Sequence, residues 1–267
     1  MIKTEIGYTT PDTITVRGKN LATELLGKVD FVDMIILLFY GRLPEEREKV
    51  MLNLLLVLTA DHGLTPSAVS ARLTYLGAPE ALQGAVAAGL SGAGSVFLGN
   101  AQNAAEMLVD GASSLNPAAS DEEVLQRARE VIDQRRAKGQ HVVGLGHNLH
   151  VHGDPRIPVL IEYSQRYDYF GKHWRLLLAL EQVMNRERGK KLPINAGGGV
   201  GAIMAEMNLD PLLGRGIALI GRCAGLIAHV AEERDHPFGL ELWNLILAQD
   251  PRNELYQRPE MSGVAKR

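Results

Sequence analysis

Residues 80–95 read EALQGAVAAGLSGAGS, a stretch made largely of alanine and glycine. Glycine inside a helix costs about 1 kcal/mol relative to alanine, so a helix of this composition needs a packing reason to form. Small side chains let two helices approach closely. The stretch therefore predicts a tightly packed helix, either buried at the centre of the fold or placed at a subunit interface.

Helical periodicity extends over most of the remaining chain, whereas signals for strands are short. Only residues 14–16 and 142–143 are predicted to be extended. Further helices are predicted over residues 20–26, 30–41, 45–60, 67–75, 101–110, 121–137, 159–167, 174–187, 200–207 and 212–234. Glycine-rich loops are predicted at 139–158 and 189–199, and an extended arm is predicted from Asp250. The sequence therefore predicts an all-α fold.

The composition is that of an ordinary globular protein, with 46% hydrophobic and 22% charged residues. A net charge of −3 provides no field that would attract nucleic acid or an acidic membrane. The single cysteine, Cys223, excludes an intrachain disulfide and fits a reducing compartment. The first residues lack the pattern of a signal peptide, and the apolar runs at 34–40 and 54–58 are too short to span a bilayer. We expect a cytoplasmic protein that has neither nucleic acid nor a membrane as its partner.

The strongest functional signal is Gly144-Leu145-Gly146-His147, followed by Arg156 inside an Asp-Pro-Arg motif. A histidine on a glycine-punctuated loop can present its ring while the backbone lies close to a ligand. An arginine nearby supplies a planar fork of donors that matches a carboxylate. Together these residues predict a site for a small, multiply charged organic acid.

Two further histidines, His150 and His152, raise the alternative of a metal site with His147. Zinc needs about three such ligands and a supporting partner for each of them. The spacing matches no catalytic zinc motif, and the sequence contains no His-Glu-x-x-His segment. We therefore expect no metal, and His150 and His152 either line the loop near the acid site or face solvent.

His62 and Arg222 each allow two interpretations. His62 stands at a predicted helix end, where it either interacts with the helix dipole or contacts a ligand carboxylate or carbonyl. Arg222 lies in an apolar stretch, and a buried arginine must meet an anion. That anion is either Glu232 or Glu233 in a structural salt bridge, or the carboxylate of a substrate.

A series of motifs along the chain resembles the citrate synthase superfamily, and in particular its compact citryl-CoA lyase-like members. No single motif is specific, but their order and spacing match along almost the whole chain. The motifs are Arg17-Gly18, 31–44 ending in Tyr-Gly-Arg-Leu-Pro, 60–67 (Ala-Asp-His-Gly-Leu-Thr-Pro-Ser), 85–89, 144–147, 154–156, 192–195 (Leu-Pro-Ile-Asn) and 225–233.

The resemblance implies an all-α homodimer of the citrate synthase type. A large domain would comprise residues 1–102 and 212–267, and residues 103–211 would form a smaller domain that closes over the site. The implied reaction joins, or separates, a dicarboxylic 2-oxo acid such as oxaloacetate and an acyl-CoA such as acetyl-CoA. Coenzyme A enters as the substrate thioester, so no separate cofactor is expected.

By position, the resemblance implies that His147 is the catalytic residue, which polarises the carbonyl during condensation or handles the hydroxyl proton during cleavage. His62 would contact the oxo acid, while Arg156 and Arg222 would bind its carboxylates. Also expected at the site are His150 and Asn195 for the substrate, and the backbone of Val143, Gly144, Leu145 and Gly146 for coenzyme A.

The chain also departs from the family pattern at two catalytic positions. Leu98 stands where the family has a histidine that stabilises the thioester enolate. Gly197 stands where the family has an aspartate that moves the α-proton of acetyl-CoA. A further family arginine is replaced within the segment 237–240. Because leucine and glycine side chains can neither transfer a proton nor donate a hydrogen bond, the acyl-CoA half of the site must differ.

Three hypotheses follow. The first is a carbon–carbon lyase or synthase with an altered mechanism, in which the enolate is stabilised by backbone N–H groups of residues 197–199, by Asn100, Asn195 or His150, or by a water. The second is a catalytically degenerate homologue that binds a carboxylate or a CoA ester as a sensor or partner subunit. The third is a metal-dependent hydrolase that uses His147, His150 and His152.

Overall fold

A computed structural model describes residues 1–147, 149–188 and 191–253. Three short antiparallel strands, β1 (Gly7–Thr9), β2 (Ile14–Val16) and β3 (Lys19–Asn20), form a sheet in sequence order. The helices are α1 (Phe31–Tyr40), α2 (Glu46–Ala60), α3 (Pro66–Gly77), α4 (Leu82–Ser91), α5 (Gly99–Gly111), α6 (Asp121–Ala137), α7 (Ile157–Arg166), α8 (Lys172–Arg188), α9 (Ala196–Glu206), α10 (Pro211–Asp235) and α11 (Gly239–Ala248), with π-helical segments at Leu21–Leu25 and Gly94–Leu98. The predicted all-α fold is confirmed.

Helix ends coincide with local capping signals in the sequence. Asp30 accepts hydrogen bonds from the backbone N–H groups of Val32 and Asp33 at the start of α1, and Gly41 ends that helix with a φ of 72°. Ser120 and Glu123 form a capping box at the start of α6. These local signals explain why both helices were predicted within a residue or two.

One compact unit comprises Met1–His62 and Ala93–Ala224. Its apolar core surrounds Trp174 and joins residues of α1, α2 and α5 to α9. Within this core α5 and α9 approach so closely that a Cβ on Gly201 would lie 2.7 Å from Cβ of Ala104. Glycine at this position is therefore required by packing, and it sets how α9 lies against α5.

A second compact unit comprises Gly63–Gly92 and the described residues from Gly225 onward. In this unit the alanine- and glycine-rich stretch forms α4, in which a Cβ on Gly89 would lie 2.8 Å from Leu226. The prediction of a tightly packed helix is confirmed, with the packing made by α3 and α10; a role in a subunit interface stays a prediction.

The two acidic residues considered as partners of Arg222 are engaged elsewhere in this second unit. Arg72 forms a buried ion pair with Glu233 at 3.0 Å and a further ion pair with Glu232. Glu233 also accepts hydrogen bonds from the backbone N–H groups of Phe238 and Gly239 at the start of α11. Both glutamates therefore have a partner within this unit, and the anion that meets Arg222 stays a prediction.

Three sequence predictions of local structure are corrected. The predicted loop 189–199 ends early because α9 begins at Ala196, so the three glycines 197–199 lie in its first turn. Residues 142–143 are not a strand; the nearest pairing is a single bridge between Leu145 and Ile194. Helix α11 was not predicted, and most of the predicted arm after Asp250 lies outside the described residues.

The predicted domain boundaries, at 102/103 and 211/212, differ from the boundaries of these compact units. The core around Trp174 contains residues from both predicted domains. Closure of residues 103–211 over a site stays a prediction.

Among the described helices α10 has the length and hydropathy of a membrane span. It also contains buried Arg222 and places Ile217 in the apolar core.

Candidate active site

The loop that carries His147 is held against the segment before α9 by backbone hydrogen bonds. The N–H of Gly146 donates to the carbonyl of Pro193 at 2.7 Å, and the N–H of Asn195 donates to the carbonyl of Gly144 at 3.0 Å. Gly144 and Gly146 have φ values of 87° and 80°, a backbone conformation that residues with a side chain rarely adopt. A Cβ on Gly198 would lie 2.5 Å from the carbonyl oxygen of Gly144. The glycines therefore allow this close contact between loop and helix.

The ring of His147 has a defined tautomer. The backbone N–H groups of Leu149 and His150 both donate to its Nδ1 atom at 3.0 Å. An accepting Nδ1 carries no proton, so the proton of the neutral ring is on Nε2. Burial lowers the pKa of His147, and the neighbouring His150 and Arg156 lower it further. At neutral pH His147 is thus an uncharged ring that donates a hydrogen bond from Nε2.

His62, His147 and His150 form one cluster, which we call the histidine cluster. The ring centroids of His147 and His150 are 4.4 Å apart, and that of His62 lies 6.2 Å from His147 and 5.9 Å from His150. The sequence placed His152 with His147 and His150 as a metal set. The structure instead leaves the His152 side chain exposed and brings in His62 from the end of α2.

By distance, the histidine cluster could hold a metal, since one nitrogen from each ring lies within 4.8 Å of the others. The donor chemistry does not favour one. Nδ1 of His147 is occupied by backbone N–H groups, and its Nε2 would have to lose a proton before it could ligate. Arg156 and Arg222 also lie close enough to lower the pKa of His62, and their positive charges oppose a bound cation. The arrangement suits an anion better.

Arg156 is held by the buried carboxylate of Asp154. Nε and Nη2 of Arg156 donate to the two carboxylate oxygens at 2.8 and 2.7 Å, and Asp154 also accepts from the backbone N–H of Ala196. Burial acts to raise the pKa of Asp154, but the hydrogen bonds from Arg156 outweigh it and the pKa lies below its usual value. Asp154 therefore stays ionised and fixes the guanidinium, while Nη1 remains outside the pair.

Arg222 lies on α10, where this helix contacts α2 closely. A Cβ on Gly221 would lie 2.4 Å from the hydroxyl oxygen of Thr59, so only glycine permits the approach. The Arg222 side chain is buried, and its Nε has no hydrogen-bond partner among the described residues. Burial lowers the pKa of Arg222 although Asp61 attracts its charge. Such a cation is suited to an incoming anion.

Asn195 has a structural role, and its predicted contact with the substrate stays a prediction. Its Oδ1 accepts from the N–H of Gly198 and caps α9, while its Nδ2 donates to the carbonyl of Gly146 at 2.7 Å. Both polar atoms of the side chain are thus engaged within the protein. The predicted CoA-binding backbone, residues 143–146, is hydrogen-bonded to the segment before α9 through Gly144 and Gly146. The N–H and carbonyl of Leu145, which lies between them, point away from that segment.

The two positions at which the resemblance implies a replaced catalytic residue, Leu98 and Gly197, are not open space. Leu98 ends the π-helical segment before α5 and is half-buried. A Cβ on Gly197 would lie 3.2 Å from both Cβ of Asn100 and Oδ1 of Asn195. The surroundings of Gly197 are therefore adapted to glycine, and an aspartate would require Asn100 to move.

Comparison with known proteins is consistent with this geometry. Residues 45–239 match the model of the family described as citrate synthase, C-terminal domain. The chain belongs to the citrate synthase family. This family member superimposes with a TM-score of 0.77 on the structure of citryl-CoA lyase from Hydrogenobacter thermophilus, at 30% identity and over 100% of this chain and 96% of that one.

Longer relatives are matched in part. Citrate synthase 2 of Bacillus subtilis is 26% identical over 73% of this chain and 50% of its own length. ATP-citrate synthase subunit 1 of Sordaria macrospora is 29% identical over 78% of this chain and 31% of its own length. This family member thus spans half or less of these curated relatives. The ATP citrate lyase of Methanothrix soehngenii, solved with citrate and coenzyme A, shares the fold at a TM-score of 0.73 and 19% identity.

Two site residues escaped the sequence analysis. The sequence did not predict a role for Asp154, although its position two residues before Arg156 is a signal that the two side chains can pair. Asn100 was considered for its amide alone, and nothing in the sequence places it against Gly197. Asp154 fixes Arg156, and Asn100 limits the space at Gly197.

Proposed function

We propose that this protein cleaves or forms the carbon–carbon bond between a dicarboxylic 2-oxo acid and an acyl-CoA, in the manner of a citryl-CoA lyase, with oxaloacetate and acetyl-CoA as the first pair to test. The observation that carries the proposal is Arg222, a buried cation whose Nε lacks a partner among the described residues. A substrate carboxylate would supply a counter-charge for this buried guanidinium.

The surroundings of Arg222 support the same substrate. Arg156 offers Nη1 to a second carboxylate, because Asp154 holds its Nε and Nη2. The neutral His147 donates from Nε2 toward a carbonyl or hydroxyl oxygen, and His62 lies 6.2 Å from it, ring to ring. Two cations and a neutral donor are the groups that a dianionic 2-oxo acid requires.

The acyl-CoA half of the proposal rests on backbone groups. The backbone N–H and carbonyl of Leu145, which point away from the segment before α9, would bind the amides of a CoA chain. At the start of α9, Asp154 occupies the N–H of Ala196 and Asn195 occupies those of Gly198 and Gly199. These contacts leave the N–H of Gly197, at the positive end of the helix, to stabilise an enolate oxygen.

The relatives support the assignment of substrate class. The Hydrogenobacter protein, which this chain matches end to end, is a citryl-CoA lyase. We further propose that the protein is a cytoplasmic homodimer that needs no cofactor beyond the CoA thioester, and that its ligands are a small carboxylic acid and a CoA ester.

A second candidate function is favoured by Leu98 and Gly197. A homologue that has lost two catalytic side chains could bind oxaloacetate or a CoA ester without turning it over, and act as a sensor or a partner subunit. The close packing of Asn100 against Gly197 is compatible with this function, because the aspartate cannot be restored without rearrangement.

The two candidates are separated by incubating the purified protein with citryl-CoA, citramalyl-CoA or malyl-CoA and measuring released acyl-CoA and oxo acid. Release that disappears in His147→Ala supports the lyase and excludes the binding homologue. Absence of release with all three thioesters overturns the lyase. Calorimetric binding of oxaloacetate without turnover would then support the second candidate.

A further inference from the structure

The histidine cluster holds a second imidazole directly beside His147. The rings of His147 and His150 are 4.4 Å apart between centroids and inclined at 45°. The backbone N–H of His150 donates to Nδ1 of His147 at 3.0 Å, so the two residues are fixed relative to one another by the main chain. One nitrogen of each ring in the cluster lies within 4.8 Å of the others, so a substrate oxygen bound within the histidine cluster would lie near the His150 ring.

His147 cannot accept the proton of a substrate hydroxyl in this arrangement. Its Nδ1 lone pair is used by two backbone N–H groups, and its Nε2 already carries the ring proton. Cleavage of a β-hydroxyacyl thioester requires a base for the hydroxyl proton. A group other than His147 must provide it.

Three other described groups near His147 are less suited to this role. The carboxylate of Asp154 is buried and occupied by Arg156 and by the N–H of Ala196. Burial lowers the pKa of His62, and the charge of Arg156 lowers it further, so this ring is a weak base. Gly197 has no side chain. His150 is half-buried and belongs to the same cluster.

We propose that His150 is a catalytic residue: it removes the hydroxyl proton of a β-hydroxyacyl-CoA substrate and then returns it to the α-carbon, the transfer that the resemblance implies for an aspartate at position 197. This inference rests on the proposed lyase activity. It assigns to His150 the proton transfer that the sequence assigned to His147, and it leaves His147 as the donor that stabilises the substrate oxygen.

The step balances without another reactant. The imidazole lone pair of His150 takes the O–H proton, and the C–O bond becomes a carbonyl as the bond between the β- and α-carbons breaks. The electron pair of that bond forms the enolate of the thioester. The imidazolium of His150 then gives its proton to the α-carbon, which yields the oxo acid and the acyl-CoA.

The test uses His150→Gln, which keeps the backbone N–H bonded to His147, and the control His152→Gln, an exposed histidine on the same loop. Single-turnover cleavage of citryl-CoA should fall about 10²- to 10⁴-fold in His150→Gln and stay within about threefold in the control. Oxaloacetate affinity, measured by calorimetry, should change less than about threefold, since the lost function is proton transfer rather than binding.

A second variant distinguishes a loss of catalysis from misfolding. His150→Ala should regain part of its rate when free imidazole is added, which a purely structural role would not allow. Cleavage by His150→Gln at the wild-type rate overturns the inference and leaves the lyase intact, as does a loss confined to affinity. Stoichiometric zinc in the purified protein also overturns it, because the metal would occupy the imidazole lone pairs. An inactive wild-type protein overturns the proposed lyase and this step together.

Discussion

Gly198 lies so close to Gly144 that a Cβ on Gly198 would be 2.5 Å from the Gly144 carbonyl oxygen. This contact joins the first turn of α9 to the loop that carries His147. Gly198→Ala should therefore destabilise the protein by about 1–3 kcal/mol and weaken oxaloacetate binding, because the loop must move away from the helix. Urea denaturation and calorimetry measure both effects.

Gly84→Ala is the matched control for this variant. Gly84 lies in α4, and its added Cβ would meet only Cβ of Ala81 at 3.5 Å, an ordinary contact. The control should leave stability unchanged or raise it by up to about 1 kcal/mol. Equal behaviour of the two variants would show that the Gly144–Gly198 contact does not hold the loop.

The histidine cluster should make stability depend on pH. Burial lowers the pKa of His62 and of His147 below the ordinary 6.5. The unfolded chain then binds protons that the folded chain does not, so stability is complete above about pH 6.5 and decreases as the pH falls through the folded pKa values. Urea denaturation at a series of pH values and constant ionic strength measures the slope.

The double variant His62→Gln/His147→Gln should flatten this slope, since neither glutamine titrates. His152→Gln, outside the cluster, should keep it. A slope that persists unchanged in the double variant would assign the pH dependence to other groups.

Sequence reasoning succeeded where the signal is local and failed where it depends on distant contacts. Asp30 and Gly41 mark the ends of α1 within a few residues, so this helix was predictable. The helical start of α9 was not, because glycines 197–199 have little helix propensity and are explained only by contacts such as that of Gly199 with Leu160, where an added Cβ would lie 2.7 Å away.

The same reasoning applies to the charged groups. The sequence showed that Arg222 needs an anion, but Glu233 pairs with Arg72, which precedes it by 161 residues. The tautomer of His147 likewise depends on two N–H groups whose direction is set by the loop conformation. Partners of this kind follow from the fold and leave no pattern in the chain.

Asp154→Asn should be strongly destabilising. The substitution leaves the Arg156 guanidinium without its carboxylate in a site where the Asp154 side chain is 0% exposed. Breaking one side of a buried pair costs about 3–5 kcal/mol. Oxaloacetate affinity should fall as well, because Asp154 fixes the orientation of Arg156. Urea denaturation and calorimetry are the measurements.

Asp250→Asn provides a control with the same spacing. Asp250 and Arg252 form an equivalent pair two residues apart, with Nη2 to Oδ2 at 2.6 Å, but the arginine is 87% exposed. Removing this exposed pair should change stability by less than about 1 kcal/mol. Similar losses of stability in the two variants would mean that the burial of Asp154 does not add to the stability that its ion pair provides.

Arg222→Met should separate binding from stability. Loss of a hydrogen-bonded charge contact should weaken oxaloacetate binding by about 1.5–3 kcal/mol, roughly 10- to 150-fold. The free energy of unfolding should stay unchanged or rise, because Arg222 is buried with an Nε that lacks a partner among the described residues. Arg72→Met, which removes a buried arginine paired with Glu233, should instead destabilise the protein. A comparable loss of stability in both would show that Arg222 is a structural residue.

Restoring the family aspartate should fail as a single change. A Cβ on Gly197 would lie 3.2 Å from Cβ of Asn100 and from Oδ1 of Asn195, so Gly197→Asp requires a small shift of these neighbours, and Leu98 still supplies no donor for the enolate. We expect no exchange of the methyl protons of acetyl-CoA in D₂O, followed by NMR in the presence of oxaloacetate. The triple variant Leu98→His/Asn100→Gly/Gly197→Asp supplies the enolate donor, the space and the base together, and it should show exchange. Proton exchange in Gly197→Asp alone would mean that Asn100 moves at little cost in free energy. It would also mean that the acyl-CoA half of the site differs less from the family pattern than the packing at Gly197 indicates.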